Sequence, residues 1–293
     1  MTDPPSTRSQ TGRLCKIVDD DTSLQWPSRL LTICGSSTKV QPLTDLGGSA
    51  PWPSTKPKGR NGRVAIRPVV SFDCYRTLID FDLNRATLPI VRAGLDEIGV
   101  EHEKFLNDLS VMRFQGVVQP YRRYKDILRD SLENCMLLHG VPWADDDFDR
   151  LWEEAKSFPA FPEVPPALTE LRETHELAIL TNSDDDLIPF GLEQIGVPFD
   201  YVVTAEQARA YKPRPAAFEA LFRRLPQRRD SIIHAAQGWE YDIMPTKALG
   251  VGHRVWVNRY GRAGSQAYAP YEEIPDLSPL PELARKIVGV ERP

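Results

Sequence analysis

The sequence predicts a doubly wound, Rossmann-like α/β core with a small all-helical cap inserted after the first strand. Three observations carry that prediction. Short apolar runs alternate with segments of helical period, as a parallel sheet covered on both faces requires. Residues able to do chemistry gather just after those runs, where doubly wound sheets bind ligands. A long stretch with helical patterning alone separates the first run from the second.

Residues 1–67 differ from the rest. They are rich in Pro, Ser, Thr and Gly and sustain no period of 3.6 or 2. The string GGSAPWPSTKPKGRNG over 47–62 has linker composition. Apolar pieces such as 30–34 cannot alone offset the entropy of ordering such a chain, so this extension is expected to be disordered or poorly ordered. Asp19, Asp20 and Asp21 argue against an organelle presequence, which is poor in acidic residues. A translation start placed upstream of the true domain is the other reading.

The core begins with VVSF at 69–72, an apolar run bounded by Pro68 and ending at Asp73. Further strands are predicted at 177–180, 201–203, 232–235 and 254–257, and helices at 166–175, 186–195, 215–225 and 242–249. Between Asp73 and the second strand, Leu88, Val91, Leu95 and Ile98 recur at helical spacing. So do Tyr124, Ile127, Leu128, Leu132 and Met136, then Phe148, Leu151 and Trp152. Residues 84–158 are therefore expected to form the cap, and 68–83 with 159–293 the core. The proline-rich return over 158–166 is the expected hinge, because proline breaks a helix and stiffens the chain.

Length and charge narrow the function. A chain of 293 residues, 41% of them hydrophobic, can bury a sizeable core and a smaller domain. No apolar run reaches the roughly 20 residues that span a bilayer, and no secretory signal opens the chain. Cys15, Cys34, Cys74 and Cys135 lie far apart, without zinc spacing or a disulfide framework. A cytoplasmic protein without a membrane association is expected. The formal net charge of −5 offers no basic footprint for nucleic acid. A small-molecule substrate is the expected partner, and a homodimer through the cap or a sheet edge is allowed for.

Each strand end can then be asked what it delivers. The first delivers Asp73, with Tyr75 and Thr77 close behind; the second delivers Thr181 and Asn182. A later loop supplies Lys212, and the fourth strand leads to Gln237, Trp239 and Asp242. Alone, Lys212 would read as a solvated surface lysine and Asp242 as a helix cap. Together they make a chemical set. A carboxylate can attack an electrophilic carbon or phosphorus, and a lysine keeps it ionised. A second carboxylate can activate the water that cleaves the intermediate.

The strings FDCYRTL, LAILTNS, YKPRP and AQGWEYDIMPTKALG, in that order and spacing, resemble the four motifs of the haloacid dehalogenase superfamily. The resemblance is closest to the L-2-haloacid dehalogenase-like branch, because Tyr75 stands two residues after Asp73. Phosphatase branches commonly carry an Asp there, as acid for the leaving group. VWVNRYG at 255–261 also looks like the tail of that branch. The resemblance implies Asp73 as nucleophile, and Thr77, Thr181 and Asn182 as supports of nucleophile or substrate. It implies Lys212 as partner of Asp73, and Asp242 as the group activating water. Tyr75, Gln237 and Trp239 are expected near the substrate. Arg113, with Arg122 and Arg123 as alternatives, is the candidate partner for a substrate carboxylate.

The implied reaction is hydrolysis of a small (S)-2-haloacid or related carboxylic acid, needing no cofactor. The alternatives are a Mg²⁺-dependent phosphatase, with metal held by Asp73, the Tyr75 carbonyl and Asp242, and a catalytically weak binding protein. The chain departs from the branch in several places. Arg76 replaces a Gly, Phe218 a Tyr, Gln237 an Asn or acidic residue, and Ala235 and Ala236 two small hydroxyl residues.

Overall fold

A computed structural model describes residues 67–289; the extension expected over 1–67 lies outside them except for Arg67. Six parallel strands form one sheet: β1 (Val69–Phe72), β2 (Glu176–Thr181), β3 (Tyr201–Thr204), β4 (Ile233–Ala236), β5 (His253–Val257) and β6 (Glu272–Ile274). Their order is β3-β2-β1-β4-β5-β6, all parallel. The five predicted strands are all present, each within a residue or so of its expected bounds. The sixth was not predicted. Its three residues begin with exposed Glu272 and Glu273, so no apolar run marks it.

The strands are apolar throughout because both faces are covered. Val70 and Phe72 pack into one core with Leu177, Ile179, Ile233, Ala235, Val255 and Val257. Val69, Ala178, Leu180, Val203 and Ile232 face the opposite layer, on Phe218 and Leu221. The chain runs outward from β1 to β3 in one direction and from β4 to β6 in the other. The sheet therefore reverses between β1 and β4, and a crevice opens at their carboxyl ends. Asp73 and Gln237 follow directly from those two strands.

The insertion after β1 is helical, as expected: α1 (Leu83–Ile98), α2 (His102–Val118), α3 (Tyr124–His139) and α4 (Asp147–Ser157). Asp82 caps α1 by accepting the Arg85 N–H at 3.0 Å. Gly140 ends α3 with φ of +72°, a turn that only glycine makes without strain. The α2 helix has no one-sided apolar stripe. Phe105, Leu109 and Val117 are buried among apolar neighbours spread around its circumference, which explains why periodicity did not reveal it.

The outgoing and returning chains are stitched together. Asp80 N–H donates to the Pro159 carbonyl at 2.9 Å and Phe161 N–H to the Leu78 carbonyl at 3.0 Å. The expected hinge is shorter than 158–166, because α5 (Val164–Arg172) already includes Pro165 and Pro166. Proline is favourable in a first turn, where its missing N–H costs nothing. At the far end of the cap, core residues hold the α2–α3 connection. Arg214 donates to the Val117 and Gln119 carbonyls at 3.2 and 2.8 Å, and Tyr211 Oη to the Arg122 carbonyl at 2.7 Å.

Helices α6 (Ile188–Ile195), α7 (Ala205–Ala208), α8 (Pro215–Phe222), α9 (Met244–Ala248) and α10 (Leu280–Val288) complete the layers. Among the described residues, no helix is long and apolar enough to cross a membrane.

Candidate active site

Asp73 follows β1 directly, and its carboxylate is gripped on both oxygens. Lys212 Nζ lies 2.9 Å from Oδ1, and Thr77 Oγ1 donates to Oδ2 at 2.7 Å. A tight turn brings Thr77 back: the N–H groups of Leu78 and Ile79 both bond to the Cys74 carbonyl. The Gln237 N–H donates to Thr77 Oγ1 at 2.9 Å, leaving that hydroxyl's proton for Asp73. The loop after β1 is thus anchored to the end of β4.

Lys212 is 1% exposed and bridges two acids, its Nζ also lying 2.7 Å from Asp242 Oδ1. Asn182 fixes the lysine's main chain from both sides. Its Oδ1 accepts the Lys212 N–H at 2.7 Å, and its Nδ2 donates to the Lys212 carbonyl at 3.0 Å. Asn182, expected as a support of nucleophile or substrate, uses its amide to grip the lysine's main chain.

Asp242 sits in a wide π-type turn, Trp239–Ile243, that precedes α9. The helix expected over 242–249 therefore begins as a wider turn three residues earlier. Gly238 makes room for it: a Cβ there would lie 2.5 Å from Asp242 Oδ2. His234, in the middle of β4, places Nε2 3.1 Å from Asp242 Oδ1 and Nδ1 2.8 Å from Ser71 Oγ on β1.

The electrostatics follow from burial and pairing. Burial raises the Asp73 carboxyl against the opposing pull of Lys212, and the nearby Asp242 charge adds to the rise. Burial also works against ionising Asp242, but Lys212 and His234 outweigh it and hold its carboxyl below the usual range. Burial likewise disfavours the charged lysine; Asp242 and Asp73 more than offset it, so Lys212 is raised. An ammonium flanked by two carboxylates results.

Other expected site residues fall around this centre. Tyr75 is half-buried, and its Oη donates to the Leu187 carbonyl at 3.2 Å. Burial, with Cys74 and Tyr124 nearby, pushes its phenol well above the ordinary range, so it stays protonated. Thr181 is buried and donates to Ser183 Oγ at 3.3 Å, one step removed from the carboxylates. Gln237 contributes its main chain, its carbonyl accepting from Trp256 Nε1 at 3.1 Å. Trp239 is packed against Trp256, Tyr268 and Tyr271. It belongs to an aromatic cluster behind the site.

Arg113, on α2, donates to Asn84 Oδ1 at 2.7 Å and to Ser110 Oγ at 2.9 Å. Its Nη1 is buried without a partner, and among the described residues no carboxylate pairs with it. Burial lowers its pKa, an effect that Tyr124 and Asp82 oppose. Arg122 and Arg123 are committed elsewhere, to Asp130 at 2.6 Å and Asp186 at 2.7 Å.

Sequence reasoning missed three groups. His234 and Ser71 were polar interruptions in otherwise apolar strands, the only signal available. Arg259, just beyond β5, donates to the Thr77 carbonyl from Nη2 at 2.8 Å and pairs with Glu163 at 2.6 Å. It ties the loop after β1 to the chain returning from the cap.

A Mg²⁺ ion needs a cluster of oxygen ligands around an open centre. Here the Lys212 ammonium lies against Oδ1 of both Asp73 and Asp242, and Asp73 Oδ2 is taken by Thr77. Gln237 adds no charge, and no group of three or more His, Cys, Asp or Glu suited to a metal occurs among the described residues. The donor set of Asp73, Tyr75 and Asp242 does not fit the ion.

Haloacetate dehalogenase H-2 of Moraxella sp. (strain B) is 37% identical over 206 residues, covering 66% of this chain and 87% of that protein. The structure of L-2-haloacid dehalogenase from Xanthobacter autotrophicus with chloropropionic acid covalently bound superposes with a TM-score of 0.58 at 17% identity. It covers 75% of this chain and 98% of that one. A HAD phosphatase from Thermococcus onnurineus superposes at 0.56 with 24% identity over 77% of this chain and all of that one. The fold is thus shared across both chemistries. The family model for haloacid dehalogenase-like hydrolases matches residues 68–250, from the start of β1 to the end of α9. With Asp73, Lys212 and Asp242 inside that match, the chain belongs to the haloacid dehalogenase-like hydrolases.

Proposed function

We propose that the protein hydrolyses the carbon–halogen bond of a small (S)-2-haloacid or haloacetate through an ester on Asp73. The observation that carries this reading is the lysine bridge between two carboxylates, with no acid beside it to protonate a leaving group. Tyr75 stands where such an acid would be needed, and its phenol is far too weak an acid at neutral pH. A halide leaves as a stable anion and requires no proton.

In this mechanism an Asp73 oxygen attacks C2 of the substrate, and the halogen departs with the bonding electron pair. Thr77 and Lys212 hold the nucleophile for in-line approach. Water then attacks the Asp73 side-chain carbonyl carbon and gives its proton to Asp242, which stays ionised beside Lys212 and His234. The C2–oxygen bond remains with the product, so the sum is haloacid plus water giving hydroxyacid, halide and a proton. Arg113 receives the substrate carboxylate; a guanidinium with a buried, unpartnered Nη1 leaves a donor for it. The haloacid relatives, one with chloropropionic acid covalently bound, support the substrate class.

Halide release from (S)-2-chloropropionate and chloroacetate tests the proposal, alongside phosphate release from p-nitrophenyl phosphate with and without Mg²⁺. Halide release that Asp73→Asn abolishes is expected. Mg²⁺-dependent phosphate release without halide would refute it, and silence on both substrates would favour a binding protein.

A further inference from the structure

Arg76 lies between Tyr75 and Thr77, in the turn that carries the nucleophile. Its φ is +69°, one of only two positive values among the described non-glycine residues. A side chain in that left-handed region costs roughly 1 kcal/mol relative to glycine. The conformation is imposed by the turn, because the Arg76 N–H closes onto the Ile79 carbonyl at 2.8 Å. Glycine would be the cheaper residue, and an exposed arginine adds nothing to the core.

The side chain has no acidic partner among the described residues. Its guanidinium lies 4.9 Å from the centre of the Tyr260 ring and is otherwise exposed. Asp80 is engaged by Arg85, Glu163 by Arg259 and Glu240 by Arg262, so the carboxylates around this rim already have cations. Arg113, on α2, also lacks an ion-paired acid among the described residues. Burial is the main cause of its lowered pKa, and Arg76 is close enough to add to the lowering. Arg76 and Arg113 are thus two neighbouring guanidiniums, neither ion-paired with an acid among the described residues.

We infer that Arg76 is a specificity-determining residue, an exposed cation that captures the carboxylate of the incoming acid and is kept despite its backbone strain. This rests on the haloacid reading proposed above. Arg76 attracts substrate before the chemical steps, so its removal weakens capture and leaves those steps alone. Tyr260 holds the guanidinium over its ring face and keeps it from folding away.

The test compares the full-length protein with Arg76→Gly and Arg76→Lys, using 2-chloropropionate and its neutral analogue 2-chloropropionamide. Arg76→Gly is expected to raise KM for the acid about 5- to 10-fold, a range set by one partly exposed charge contact. It should leave kcat within about twofold, leave KM for the amide unchanged, and raise Tm. Arg76→Lys should retain most of the affinity, since it keeps the charge. An unchanged KM for the acid, or an equal rise for acid and amide, would overturn the inference. Binding of 2-chloropropionate to Asp73→Asn and to Asp73→Asn/Arg76→Gly, followed by calorimetry, separates the two proposals. A wild-type protein that releases no halide, with the same 5- to 10-fold loss of binding, refutes the dehalogenase reading and sustains anion capture. Equal binding by the two variants refutes capture whatever the turnover.

Discussion

Replacing Lys212 with Met should move the pH-dependent loss of stability from the alkaline range down toward neutral pH. The ammonium lies 2.9 Å from Asp73 and 2.7 Å from Asp242, all three groups being nearly or fully buried. Met fills nearly the same volume and removes only the charge. Two carboxylates are then left buried without their cation, a loss of about 3–5 kcal/mol where a buried pair is broken by removing one partner. That is a large part of the roughly 5–15 kcal/mol that holds a typical domain together. The pH window differs between the two proteins, although in both the stability is lost as pH rises. In the wild type the raised Lys212 contributes stability that is complete below its ordinary pKa of 10.5 and is lost only as pH climbs past that value. In Lys212→Met, both carboxyls should titrate above their unfolded values, so stability falls as pH rises through the folded pKa. Urea unfolding at pH 5 and pH 8 reads the difference: the deficit of the variant should be several kcal/mol at pH 8 and clearly smaller at pH 5. Adding Asp242→Asn should restore much of the loss at pH 8, because the two sites share one network. An equal deficit at both pH values would show that the lysine does not neutralise these acids, and the site geometry would be wrong.

Thr77→Val keeps the shape of the side chain but removes the donor to Asp73 and the acceptor of the Gln237 N–H. A hydrogen bond to a charged group contributes about 1.5–3 kcal/mol, so kcat for halide release should fall roughly 10- to 100-fold, with Thr77→Ser largely restored; an unchanged kcat for Val would contradict that assignment. His175 is fully buried near the amino end of β2, and burial, with Arg67 and Arg285 nearby, depresses it from 6.5 to about 4. The unfolded chain binds the proton first, so this stabilisation is present above pH 6.5 and is lost as pH falls toward 4. The loss should be about 2–3 kcal/mol between pH 7 and pH 4.5. In His175→Asn the fall in urea midpoint over that interval should be smaller by a matching amount, and identical pH profiles would exclude His175 as the cause.

Much of the core was legible because its signals are local. A strand buried on both faces must be apolar at nearly every position, so VVSF and its counterparts announced themselves without reference to their neighbours. Asp73, Lys212 and Asp242 could be found because a parallel sheet delivers its loops to one edge. Residues that follow strands must then converge, however far apart they lie in sequence. β6 escaped because an exposed edge strand of three residues needs no apolar run, and α2 because its apolar residues are not confined to one side.

The detail of the site depended on pairings that no local pattern encodes. His234 reaches Ser71 because β1 lies beside β4 in a register that sets those two residues opposite one another. The same placement points the ring's other nitrogen at Asp242, reached only because a wide turn folds back over Gly238. Arg259 finds the Thr77 carbonyl 182 residues away through the meeting of two strand ends. The sequence by itself determined which chemistry could be present: a nucleophilic carboxylate, an ammonium and a second carboxylate at one edge of a sheet. Only the tertiary structure decided that the ammonium stands between the carboxylates, and that Arg113 stays without an acid. Residue types and strand ends are written along the chain. Whether a buried charge is neutralised is set by what lies across from it, and that is a property of packing.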